Sequence, residues 1–117
     1  MISRVHLRQG DLCLFNFNPS IGHEYQGKRP ALVIQANEQI RKSSLVTVVP
    51  LTSNLDNRLN DDIVIAKDED NRLISDSVIK VHNIISFDYN RFINRIGRIE
   101  NSTMDGVKKY LKKHFNL

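Results

Sequence analysis

The sequence predicts a mainly β domain of α+β class: a small, strongly curved antiparallel sheet or barrel with a C-terminal helix. Three observations carry that expectation. Short apolar runs rich in β-branched and aromatic residues recur along the chain, most gaps between them lack a helical pattern, and the one convincing helical repeat lies at the C-terminal end. Strands without intervening helices argue against a βαβ parallel sheet. With 117 residues, 40% of them hydrophobic, the chain can build one core and is too short for two, so residues 1–117 are expected to form a single domain.

Residues 11–17, apolar and aromatic between Gly10 and Asn18-Pro19, read as the first strand. Residues 18–28 are polar with two glycines and read as a long loop. Pro30 biases Arg29 to extended backbone, and residues 31–34 continue as a buried strand. Residues 45–49 form a third strand, which Pro50 is expected to stop. Residues 62–66, 77–81 and 96–99 complete the strands, with an acidic turn at 67–72 and a short helix at 88–92. Met104, Val107, Leu111 and Phe115 recur at helical spacing behind Ser102, which can cap the helix with Asp105 as the capping-box acid.

Composition excludes several classes. No apolar run approaches the roughly 20 residues of a membrane helix, so no membrane partner is expected. Residues 1–8 are too polar for a signal-peptide core, and a cytoplasmic location is expected. Cys13 is the sole cysteine, which removes an intrachain disulfide, and it reads as a small buried hydrophobe. There is no zinc spacing, Walker loop or dinucleotide fingerprint, so neither a metal nor another cofactor is expected. Net charge is +4, and seven of the thirteen acidic residues crowd into 56–76, which leaves the remainder strongly basic. That asymmetry places a cationic face opposite an acidic edge or reflects ordinary solvated loops; on the first reading the partner is nucleic acid or an acidic protein, and the acidic region lies away from the binding groove.

Three segments set reactive or phosphate-binding groups at strand ends. His23, Glu24, Tyr25, Gln26, Lys28 and Arg29 gather an imidazole, a carboxylate and two cations around Gly22 and Gly27, which let the loop bend. A planar guanidinium at a strand start is suited to holding two phosphate oxygens, and Tyr25 to stacking an unpaired base. Thr52 and Ser53 follow the third strand, where a hydroxyl can donate to phosphate or simply cap the turn. Lys80 and His82, two apart on one face of an extended segment, fit an anion site or a plain surface.

In order, Gly22-His23-Glu24, Gln26-Gly27-Lys28-Arg29-Pro30-Ala31, Val49-Pro50-Leu51-Thr52-Ser53 and Ile96-Gly97-Arg98-Ile99 before a helix resemble the MazF/PemK family of toxin endoribonucleases. The resemblance covers roughly residues 10–111. It implies an SH3-like barrel, a homodimer, metal-independent cleavage of single-stranded RNA at a short sequence, and a cognate antitoxin whose acidic, flexible C-terminal segment blocks the groove. Arg29 and Thr52 match the family's paired catalytic positions, and His23 and Glu24 its active-site loop. Lys28, Ser53, Tyr25, Gln26, Lys80 and His82 are the expected RNA contacts. Some relatives carry an Arg and an Asp as acid and base where this chain has Lys80 and His82, a departure that leaves the chemistry here to Arg29 and Thr52. Proton transfer is open between Arg29 and His23, an imidazole that titrates near neutrality and that Glu24 can orient. The rival readings are a non-enzymatic CcdB-like toxin acting on gyrase through its C-terminal helix, and a basic barrel that binds RNA without cutting it.

Overall fold

Strand β1 (Asp11–Asn16) is apolar at its four central positions, the pattern of a strand covered on both faces, and a computed structural model that describes residues 7–18 and 27–117 places it inside the sheet. It pairs antiparallel with β2 (Lys28–Val33) on one side and β7 (Phe92–Arg98) on the other. β2 in turn pairs with β3 (Leu45–Thr52), and β4 (Ile63–Ile65) and β5 (Ser77–Ile79) extend the order to β4-β5-β3-β2-β1-β7. β6 (Ile85–Asp88) also pairs with β3, which makes seven strands, all joined antiparallel. No ladder joins β4 to β7 among the described residues, so the sheet is curled and open.

Alternation along β1 sends Leu12 to one core and Cys13 and Phe15 to another. The first core is roofed by helix α2 (Asn101–Phe115), through Met104 and Val107. In the second, Phe15 and Phe17 pack on Phe87 at ring distances of 5.4 and 5.3 Å, and Ile40 covers them from α1 (Asn37–Lys42).

Pro50 does not stop β3. Its carbonyl accepts from Lys80 N at 2.9 Å, so its missing N–H faces that same side, away from β2. On that side β3 changes partner, from β6 at Val48 to β5 at Leu51, and no ladder bond is lost. Helix α2 begins at Asn101 behind Glu100, with no side-chain cap, so Ser102 and Asp105 lie within it as exposed residues rather than as a capping box. Its buried stripe fades beyond Leu111, and Phe115 is 55% exposed.

The final strand is longer than residues 96–99 suggest, because Asn94 and Arg95 interrupt its apolar pattern without interrupting its pairing to β1. The expected short helix is a 3₁₀ turn at Tyr89–Arg91. Gly97 is required by a close approach: a Cβ there would sit 2.5 Å from the carbonyl oxygens of Asp70 and Asn71. Residues 19–26 of the expected loop lie outside the described residues, but its ends are tied together. Phe17 N donates to Gly27 O at 2.9 Å and Gly27 N to Asn18 Oδ1 at 2.8 Å, with Gly27 at a left-handed φ of 74°.

Candidate active site

Arg29 is fixed by the ladder, opposite Phe15 of β1. The register between β2 and β3 pairs Leu32 with Val49 and Ala31 with Pro50, and Arg29 and Thr52 each lie two residues beyond that last pair, at the same end of the two strands. Both residues are half-buried, and both line one groove of about 690 Å³. Leu14, Pro30 and Leu51 contribute apolar lining to the same groove.

The rim of this groove is cationic. Lys28, Arg29 and Arg72 line it, and no Asp or Glu does among the described residues. Neither Lys28 nor Arg72 has an ion-pair partner among those residues. Ser53 lies beside Thr52 and is exposed. The Thr52 hydroxyl accepts from Asn54 N at 3.2 Å, which engages a lone pair and leaves its proton to be donated outward.

The expectation that the segment 56–76 lies away from the groove is half met. Its carboxylates stay away, while Arg72, Leu73, Ile74 and Ser75 reach the rim. Asp68 and Asp76 are occupied in building the turn, Asp76 Oδ1 accepting from Lys67 N at 2.9 Å. Asp68 Oδ1 accepts from the backbone of Asp70 and Asn71 at 2.9 and 2.7 Å, and buried Asn71 returns the bond to Asp68 N at 3.0 Å. Arg72 leaves this turn at a left-handed φ of 54°. Sequence reasoning missed Arg72 and Asn94 as groove residues; Arg72 reads locally as an answer to neighbouring acids, and only the turn's seat against Gly97 aims it elsewhere.

Lys80 and His82 both reach Asp62, but through a turn that follows β5 rather than along the extended segment expected, and they do not line the groove. Lys80 is 4% exposed, and its Nζ lies 2.6 Å from Asp62 Oδ2. His82 Nδ1 stands 3.5 Å from Asp62 Oδ1, and neither atom has a hydrogen-bond partner. The anion this pair attracts is the chain's own carboxylate. His23, Glu24, Tyr25 and Gln26 lie outside the described residues. Cys13 is fully buried, and burial first, then Asp11, pushes its thiol up to about 12, which makes it inert as a nucleophile at neutral pH. Among the described residues no three His, Cys, Asp or Glu gather into a set that could hold a metal ion.

Comparison with known proteins bears on the family and the fold. Residues 8–115 match the family described as PemK-like, MazF-like toxin of type II toxin-antitoxin system. The endoribonuclease PemK of Escherichia coli is 38% identical over 47 residues, a match that spans 40% of this chain and 35% of that protein. The crystal structure of MazF from Deinococcus radiodurans superposes with a TM-score of 0.80 at 22% identity, covering 95% of this chain and 97% of that one. An endoribonuclease from a Mycobacterial species, solved in complex with its cognate antitoxin, gives 0.74 at 18% identity, covering 100% and 97%. At these identities the two structures speak to the fold, an open curled sheet with a C-terminal helix. The family match extends over nearly the whole folded chain, and the protein belongs to the PemK-like, MazF-like toxins of type II toxin–antitoxin systems.

Proposed function

We propose that this toxin is an endoribonuclease that cuts single-stranded RNA in the groove between Arg29 and Thr52. The observation that carries the reading is that a guanidinium and an alcohol from different strands line one cationic groove without a carboxylate among the described residues. Arg29 clamps two non-bridging oxygens of the scissile phosphate, and Thr52 donates its proton to one of them. The 2′-hydroxyl loses its proton and its oxygen bonds to phosphorus. The bond to the 5′-oxygen breaks, and that oxygen leaves protonated. The products are a 2′,3′-cyclic phosphate and a 5′-hydroxyl. His23, oriented by Glu24, is the shuttle whose chemistry suits both proton transfers at neutral pH, and Tyr25 and Gln26 contact the RNA from the same loop.

The guanidinium supplies the positive charge at the phosphorane, so the reaction is proposed to need no metal. The active form is a homodimer in the cytoplasm. Its antitoxin lays an acidic, flexible segment along the cations that RNA would otherwise meet, and complexes with cognate antitoxins among the structural relatives support that pairing.

Incubating the protein with single-stranded RNA, with and without chelator, and sequencing the cut ends tests the proposal. Cuts at one short sequence, bearing cyclic phosphate and unaffected by chelator, are expected. Binding without product, or gyrase poisoning without RNA cleavage, would overturn it.

A further inference from the structure

Lys80 grips the chain on both sides of Thr52. Its backbone N–H donates to Pro50 O at 2.9 Å, two residues before the threonine. Its Nζ donates to Asn57 O at 2.9 Å and to Asp62 Oδ2 at 2.6 Å, both on the segment that leaves the threonine. Residues 53–61 are all exposed, so burial does not hold that segment. Hydrogen bonds do, and they run in sequence from Lys80 to the hydroxyl. Asn57 O takes the Lys80 ammonium, and Asn57 N donates to Asn54 O at 3.1 Å. Asp56 N donates to Asn54 Oδ1 at 3.2 Å, and Asn54 N ends the run on Thr52 Oγ1 at 3.2 Å. Asp62 closes the far end, its Oδ2 also accepting from Leu59 N at 2.9 Å.

A buried ion pair is weak evidence for stability, because an apolar pair of similar volume often serves as well or better. What an apolar pair cannot do is donate to the Asn57 carbonyl and so orient the run that ends on the hydroxyl. We propose that Lys80, with Asp62 as its counter-charge, is a positioning residue that aims the Thr52 hydroxyl at the scissile phosphate. The inference rests on the ribonuclease reading for its effect on rate, and on the hydrogen-bond run alone for its effect on Asn54.

Lys80→Met is compared with Lys80→Met/Asp62→Leu, in which the charge pair becomes an apolar contact. In the single variant kcat for a cleavable RNA falls about 10²-fold, as small misplacements of a catalytic group do. KM stays within about twofold, because the groove cations remain. Solvent exchange at the Asn54 amide, read by NMR, accelerates in both variants. The double variant regains the wild-type Tm without regaining kcat. A kcat that recovers together with Tm, or wild-type exchange at Asn54 in the single variant, would overturn the proposal. If the wild-type protein does not cut RNA, the ribonuclease reading falls, and the Asn54 exchange alone decides whether Lys80 holds the hydroxyl.

Discussion

Two cationic regions of this small domain use the same chemistry to opposite ends. Around Asp62, Lys80 and His82 turn inward to a carboxylate whose side chain is fully buried. Around Thr52, Lys28 and Arg72 line an open groove and meet no carboxylate among the described residues. A cation whose counter-charge is supplied within the chain organises the fold. One whose counter-charge is left to the surroundings attracts a polyanion, whether RNA or an acidic peptide. Local sequence does not separate the two classes, since Lys80 beside a histidine looks as suited to phosphate as Lys28 does. Position on the sheet separates them: β5 carries Lys80 toward the segment that ends at Asp62, whereas β2 opens Lys28 onto the groove.

The comparison can be broken most severely at Asp62. Asp62→Ala leaves Lys80 buried and unpaired and should cost about 3–5 kcal/mol of stability, read from urea unfolding. Lys28→Ala, which removes a cation without an ion-pair partner among the described residues, should stay within about 0.5 kcal/mol. Equal losses in the two variants would dissolve the distinction.

On the groove side the expected effect falls on rate. Arg29→Ala should lower kcat for RNA about 10²–10³-fold, the usual loss when a transition-state donor is removed. Thr52→Val should cost about 10–100-fold, as befits one hydrogen bond to a charged oxygen. Single-turnover cleavage assays measure both, and an Arg29→Ala protein that cuts at the wild-type rate would remove the phosphate clamp from the mechanism.

The smallest effect sharpens the role of Arg72. Arg72→Gln should leave the fold unchanged and weaken RNA binding similarly across sequences. The slope of log affinity against log salt should fall by about 0.7, the share of one phosphate contact on a single strand. An unchanged slope would place Arg72 outside the RNA path.

Much of the architecture was legible because burial imposes periodicity. The apolar run of β1, the β-branched run of β3 and the Met104–Val107–Leu111 spacing each report a face turned to a core. Elements too short or too polar to carry a period stayed hidden. Helix α1 buries only Ile40 from six residues, and β6 alternates only Ile85 and Phe87 over four. Pro50 misled for a different reason: its cost depends on whether a neighbouring strand needs the N–H, and β3 changes partner at that point.

Residue types and their order determined a mainly β chain, a family resemblance and the candidacy of Arg29 and Thr52, because side-chain chemistry and backbone preference are local properties. Tertiary structure alone decided that Arg29 and Thr52 line one groove, that Arg72 joins them and that Lys80 does not. Those are questions of which distant groups meet, and strand register and the pairing of buried charges settle them only once the sheet has formed.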